Sequence, residues 1–486
     1  MKLIFSKLIS FMEFNPFQRK FRKGEKRVAL VYPNRYVGGI ANLGLQILYA
    51  KINEFAHCER FYFDVFDGLR SLETGTPLSE FELALFSLQY EIDYFNAIQI
   101  LKKSDFQGLK IAGGPCVMEN PKPLMEYFDA FFIGEAEKSI EEILSAKTVT
   151  DLEGIKGIFT GKEERVKRVY YPLEKHIEKE IIGEGAYGRS FLIEIGRGCI
   201  RKCSFCIVRQ IYFPPRWRKI EDLVEVKNVK KIALIAPSPT DHPQFKNIVQ
   251  NYAEKGFEIS PSSLRADAID EELVEILKSA NVKTLTLAPE TASEVFAEFL
   301  RKDISFEDLK RAIEISSGSF EKLKLYYLIG LPNENIEDVK KIVEQIKLFK
   351  RFIPRIEISV NPLVPKPHTP LQWLPFANLS EIRKKILVLK NECRKNGIEF
   401  NPVDPKEFAT QTILSRGDES VSKMLESRNY RSFEDFLLGI DIEKELPWDF
   451  IDHGYKKSKL VAEFQKLMDI LDKTYKSSDA QLYEGR

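Results

Sequence analysis

The sequence is short of cysteine, of histidine and of net charge, and each shortage excludes something. Six cysteines in 486 residues cannot form the disulfide framework of a small secreted domain. Five histidines (His57, His176, His242, His368, His453) lie far apart, so the paired Cys/His knuckles of an ordinary structural zinc site are missing. Lys and Arg number 73 against 72 Asp and Glu, and a net charge of +1 creates no field to draw nucleic acid. No apolar run is long enough to cross a membrane. There is no internal repeat and no low-complexity tract.

The N-terminus begins with an apolar stretch, but Lys7 and Glu13 interrupt it and no small-residue cleavage site follows. With Arg19, Lys20, Arg22 and Lys23 behind it, residues 1–25 read as an amphipathic, basic segment docked on the body, not as a signal peptide.

Against this scarcity, half of the cysteines crowd into eight residues, Cys199-Ile-Arg-Lys-Cys203-Ser-Phe-Cys206. The apolar strand Phe191–Ile195 and the turn Gly196-Arg-Gly198 precede them. Three thiolates on one loop form a binding face for a soft metal or an iron–sulfur cluster. A cubane cluster normally takes four cysteines, so three leave one iron with an open position. A zinc site completed by a remote ligand, or three buried thiols, is the competing reading.

The rest of the chain alternates between strand-like and helix-like runs. From residue 26 to 146 the strands are Val28–Tyr32, Leu83–Ser87, Lys110–Ala112 and Ala130–Ile133, with glycine turns such as Gly113-Gly114-Pro115 at their ends. That pattern predicts a flavodoxin-like, Rossmann-type parallel sheet whose ligands bind at the carboxyl ends of the strands. Residues 147–190 are charged, broken by glycine, and read as a linker. From 191 to 398 alternation resumes about six times, which predicts a partial (β/α)6 TIM-like barrel. Residues 399–486 read as a mainly helical C-terminal region. The fold class expected is α/β.

The C-x3-C-x2-C loop, with Phe205 before its last cysteine, resembles the signature of the radical S-adenosylmethionine (radical SAM) superfamily. The resemblance implies that Cys199, Cys203 and Cys206 hold a 4Fe–4S cluster. The open iron would bind the amino and carboxylate groups of S-adenosylmethionine, and one electron would release a 5′-deoxyadenosyl radical. It also implies cofactor contacts at the strand ends, for which the candidates are Phe205, Ser238, Ser263, Arg265, Glu290 and Arg301. The usual glycine-rich turn ending in glutamate after the second strand is replaced by Ala236-Pro-Ser-Pro239. The arginine suits a carboxylate because guanidinium forks onto it.

The first domain is similar to the cobalamin-binding-type domain that precedes many radical SAM cores. The likeness rests on Tyr32–Gly44, Gly113-Gly-Pro115 and Ile133-Gly-Glu-Ala136, and it makes Asn34, Tyr36, Gly39, Gly113, Gly114 and Glu135 the candidate cobalamin site. Where many such domains carry D-x-H-x-x-G, this chain has Asn34-Arg-Tyr36-Val-Gly-Gly39, so histidine ligation of cobalt is excluded. Pro365-Lys-Pro-His368-Thr-Pro-Leu-Gln-Trp373 and Leu446-Pro-Trp-Asp-Phe-Ile-Asp-His453-Gly resemble uncharacterised cobalamin-domain radical SAM proteins. Cys58, Cys116 and Cys393 are far apart and read as buried small residues. No second trio is present for the extra cluster that methylthiotransferases need, which disfavours thiolation.

The leading expectation is an enzyme that cleaves S-adenosylmethionine reductively, with cobalamin-dependent methyl transfer as one branch and hydrogen abstraction alone as the other. Flavodoxin or ferredoxin would be the reductant and the cytoplasm the location; neither a membrane span nor a nucleic-acid partner is expected. Two other classes stay open: a non-catalytic iron–sulfur electron carrier or scaffold, and a zinc-stabilised RNA-binding module.

Overall fold

The computed structural model describes residues 13–173 and 180–483, with side chains described up to 473. Residues 1–12 of the expected N-terminal amphipathic segment, and His176, lie outside them. Residues 13–25 form no helix. They run extended along the first domain, where Phe14 bridges Ile182 and Arg19 pairs with Glu25 at 2.7 Å.

Six strands build the first sheet: β1 Arg27–Tyr32, β2 His57–Tyr62, β3 Leu83–Ser87, β4 Leu109–Gly113, β5 Ala130–Phe132 and β6 Ile158–Phe159. Their order is β2-β1-β3-β4-β5-β6, parallel throughout except for β6. Strand residues alternate between faces, so Val28, Leu30 and Tyr32 join one core while Ala29 and Val31 join another. Both faces are covered, which is why β1 and β3 are apolar almost without a break. The exception is β2, whose sequence His-Cys-Glu-Arg-Phe-Tyr is entirely buried. Arg60 is ion-paired to Glu13 and, at 2.6 Å, to Glu73, while Glu59 accepts from Thr74. Buried charge survives there because it is matched.

The stretch between the two large units is more than a connector. Its residues 158–159 supply β6, and Val166–Lys167 forms β7.

Ten strands follow, and from β12 onward they alternate with helices. β8 Glu184–Gly185 and β9 Gly188–Glu194 form a hairpin, and β10 Gly196–Arg197 pairs with β11 Arg216–Trp217. β12 Lys231–Ile235 and β13 Glu258–Pro261 lie parallel to β9 in the order β13-β12-β9-β8. β14 Thr284–Glu290, β15 Lys322–Ile329, β16 Ile356–Pro362 and β17 Glu399–Asn401 form a second parallel sheet in chain order. One parallel bridge, Leu264 to Leu287, joins the two sheets. Their inward residues share a single apolar core with the surrounding helices. Helix starts follow the sequence: Ser305 with Asp308, and Asn335 with Asp338, close capping boxes.

The C-terminal region ties these units together. Asn120 donates to the carbonyls of Ser415 and Gly417 at 3.1 and 2.7 Å, and β18 Ile451–Asp452 pairs with β7. The long helix Lys457–Tyr483 sets Leu467 and Leu471 against Phe296, Phe299 and Leu300. Each such side chain removed from water contributes about 1.5–3 kcal/mol. Among the described residues, no helix is long and apolar enough to cross a membrane.

Candidate active site

The cysteine loop leaves the carboxyl end of β9. The turn before it depends on Gly198, which has φ +78° and would place a Cβ 2.4 Å from the Tyr212 carbonyl. Ser204 anchors the loop: its N–H donates to Leu300 and its hydroxyl to Phe299, both at 2.9 Å. Phe205 packs beside Phe296 and Leu300. Arg201, inside the loop, donates through Nε to both oxygens of Asp241 at 3.0 Å, and its backbone N–H lies 3.4 Å from the Cys199 sulfur.

Burial pushes all three thiols above their ordinary range, Cys206 to about 12. They act on one another electrostatically, while Lys302 pulls Cys203 and Cys206 back toward the thiolate. Ionising three neighbouring thiols in this setting requires a strongly positive guest. Among the described residues, no three His, Cys, Asp or Glu side chains converge as ligands of a single ion. The three thiols of the loop are included in that statement: they lie near one another without closing on a common point.

The other candidates fall around this loop, and most are already engaged. Ser238 is buried after β12 and hydrogen-bonds Asp241; burial raises that carboxyl, but the Arg201 and Ser238 bonds outweigh it and hold it low. Ser263 is half-buried after β13, and its neighbour Ser262 donates to the Ala236 carbonyl at 3.0 Å. Arg265 forks onto Asp267 with two 2.9 Å bonds and donates to the carbonyls of Lys302 and Asp303. Glu290 ends β14 with φ +68°, a left-handed conformation uncommon for a residue with a side chain. Burial raises its carboxyl, and Lys302 at 3.0 Å opposes the rise. Arg301 caps the helix Glu294–Leu300 in the left-handed region and reaches Glu463 at 2.9 Å.

A cavity of about 490 Å³ lies where the carboxyl ends of the first sheet face those of the second unit. Leu30, Leu85, Ser87, Gly113, Gly114 and Glu135 line one side; Glu194, Arg197, Ile235 and Pro237 line the other, beside Val208 and Tyr212 just after the cysteine loop. Its wall is mostly apolar, and it opens at the strand-order reversal where such sheets bind ligands. Gly114 has φ +104°, and a Cβ there would meet the Leu88 carbonyl at 2.5 Å.

Gly113, Gly114 and Glu135 thus reach the cavity, whereas Asn34, Tyr36 and Gly39 are not among its lining residues. Asn34 donates to Asp93 at 2.6 Å. Tyr36 donates its phenol to Glu13 at 2.7 Å; burial and that carboxylate push its ionisation far above the usual range. A Cβ on Gly39 would strike Tyr62 at 2.3 Å.

Sequence reasoning missed the charged seam under this cavity. Arg216 grips Glu135 bidentately at 2.9 and 2.8 Å, and Arg197 joins Glu137 at 2.6 Å to Glu194 at 2.7 Å. It also missed Arg201, Asp241, Lys302 and Glu463. The Leu300-Arg-Lys302 run was the visible signal for Lys302; the partners of the others are remote in sequence. His368 and His453 prove to be packed together, ring centres 4.4 Å apart, each bonded to a backbone carbonyl. Cys58, Cys116 and Cys393 are buried.

Two family models match the chain, one described as the N-terminal part of radical SAM proteins over residues 44–172, the other as the radical SAM superfamily over 193–346. An uncharacterized protein of Methanocaldococcus jannaschii is 40% identical over 420 residues, spanning 82% of this chain and 91% of its own. A ribosomal-protein methylthiotransferase of Hydrogenobaculum is 25% identical over 291 residues, spanning 53% of this chain and 66% of its own. A solved radical S-adenosylmethionine methyltransferase of Kitasatospora setae, with cobalamin and a 4Fe–4S cluster bound, superposes with a TM-score of 0.58. It covers 83% of this chain and 100% of that one at 13% identity, so that likeness is one of fold.

Proposed function

Because this chain belongs to the radical SAM superfamily and is a radical SAM enzyme, we propose that Cys199, Cys203 and Cys206 hold the family's 4Fe–4S cluster at the mouth of an open (β/α)6 barrel. The observation that carries the reading is the loop itself: three thiols on eight residues after the carboxyl end of β9, close enough to act on one another electrostatically. The bound cluster supplies the electron that splits the sulfonium of S-adenosylmethionine. The chain's part is to fix the loop through Ser204 and the Arg201–Asp241 pair, and to place Lys302 as a cation beside the thiolates. Ser238, Ser263, Glu290 and Arg301 ring that loop as the cofactor's polar contacts.

The cavity supports a second cofactor. Its apolar wall and its Gly113-Gly114 rim suit a cobalamin carrying no protein ligand on cobalt, since Tyr36 is a neutral phenol engaged elsewhere. Because the cavity is lined by Arg197, Val208 and Tyr212, which flank the cysteine loop in sequence, methyl transfer to carbon is the reading we favour over hydrogen abstraction alone. Thiolation is disfavoured, because the remaining cysteines are buried apart from the loop. Anaerobic reconstitution with iron and sulfide, then dithionite and S-adenosylmethionine, tests the reaction class. 5′-Deoxyadenosine is expected, joined by S-adenosylhomocysteine when cobalamin is added; a cluster that yields neither product overturns the reading in favour of an electron carrier.

A further inference from the structure

Glu463 lies on the C-terminal helix Lys457–Tyr483, beyond the stretch that matches the superfamily model. Its carboxylate is the meeting point of two guanidinium groups. Arg209, three residues after Cys206, donates Nη2 to Oε1 and Oε2 at 3.2 and 3.1 Å. Arg301, at the end of the helix Glu294–Leu300, donates Nη1 to Oε2 at 2.9 Å. Arg209 also donates Nη1 to the Lys202 carbonyl inside the cysteine loop, at 3.1 Å. The same loop hangs from Phe299 and Leu300 through Ser204. One carboxylate on the last helix therefore completes a closed circuit of polar contacts: loop, Arg209, Glu463, Arg301, and back through the helix end to the loop. The Glu463, Arg209 and Arg301 side chains are 14%, 10% and 25% exposed, so the Arg209 pair is shielded from water and the Arg301 pair is partly so.

We infer that Glu463 is a positioning residue for S-adenosylmethionine: it holds Arg301 and Arg209 in register with the cluster loop, so that the arginine meant for the cofactor's carboxylate is aimed before the cofactor arrives. The inference rests on the cluster reading above. It gives the C-terminal helix a role in cofactor binding that its distance in sequence conceals. A guanidinium left unaimed must be ordered at the moment of binding, which weakens capture of the cofactor without altering the electron-transfer step that follows.

The test compares Glu463→Gln and Glu463→Asp with the unaltered protein after anaerobic reconstitution. Uncoupled 5′-deoxyadenosine formation is measured against S-adenosylmethionine concentration, with iron content and thermal melting alongside. In E463Q, KM for S-adenosylmethionine is expected to rise about tenfold while kcat stays within about twofold, the size of one lost charge-assisted contact. E463D, which keeps the charge on a shorter arm, should fall between. A KM that is unchanged or lower in E463Q with its cluster intact overturns the inference alone; a fall would mean that Glu463 competes with the cofactor. An equal loss of kcat in both variants, with a lowered melting point, also overturns it and leaves a purely structural helix contact. If the unaltered protein assembles no cluster, the reading beneath the inference fails first.

Discussion

The cysteine loop and the cavity beside it are opposite kinds of site. The loop is dense with chemistry: three thiols, Lys302, Glu290 and the Arg201–Asp241 pair stand together there, and none of them is among the cavity's lining residues. The wall that the first sheet gives the cavity is mostly glycine and apolar, with Glu135 among it, and the residue where a metal-ligating histidine would be expected, Tyr36, faces Glu13 and is absent from that lining. The difference separates what a motif specifies from what a fold specifies. Thiols, spaced by a short loop, dictate a guest. A crevice at a strand-order reversal offers room and backbone polarity, and its guest is decided by shape.

Several substitutions break or sharpen this contrast. Replacing Cys199, Cys203 or Cys206 by alanine should abolish the brown cluster and all 5′-deoxyadenosine formation, while cobalamin binding, measured by absorbance on the separate cavity wall, persists. The seam between the two sides comes next. Arg216→Met takes the bidentate partner from the buried Glu135 carboxylate, which keeps the Tyr171 N–H at 2.6 Å and Arg197 at 3.5 Å, and should cost about 1.5–3 kcal/mol in denaturant unfolding. It should also loosen cobalamin retention, because Glu135 lines the cavity.

The histidine pair supplies a pH test. Burial lowers His453 to about 3, and its Nε2–H is committed to the Met118 carbonyl at 2.9 Å. The folded state thus binds this proton less readily than the unfolded one, so its contribution to stability is present above pH about 6.5 and is lost as pH falls toward 3. At pH about 4.5 the loss amounts to roughly 2–3 kcal/mol. His453→Gln should lessen the fall in melting temperature between those limits without abolishing it, because burial also holds His368 well below its ordinary range. Gly114→Ala, forced against the Leu88 carbonyl, should cost about 1–3 kcal/mol and weaken cobalamin binding more than cluster assembly. The smallest effect is Tyr36→Phe. It removes one hydrogen bond to Glu13, worth about 1–2 kcal/mol by thermal melting, and should leave the cobalamin spectrum unchanged. A spectral change there would restore the phenol as a cobalt ligand.

Much of the architecture could be read locally. Apolar strands such as Val28–Tyr32 and Lys231–Ile235 run into proline-bearing turns at Pro33 and Pro237, and the capping pairs Ser305/Asp308 and Asn335/Asp338 mark helix starts within four residues. The cysteine loop was legible for the same reason. What escaped was non-local. β2 hides because Glu59 and Arg60 look like surface residues until Glu13 and Glu73 are folded against them. Asp241 is forty residues from Arg201, and Glu463 is 254 from Arg209, so no sequence window contains either pair. Tyr36 was recognised as a departure, but its purpose, docking the N-terminal segment, depends on a residue outside the domain's pattern.

If the three-cysteine loop carries a cluster with one iron open to S-adenosylmethionine, electron paramagnetic resonance of the dithionite-reduced, reconstituted protein will register the cofactor. The spectrum is recorded with and without S-adenosylmethionine. A cubane signal is expected whose line shape shifts when the cofactor is added and which disappears in the Cys203→Ala protein. A cubane signal that the cofactor leaves untouched, or a colourless protein that retains zinc instead, would contradict that reading.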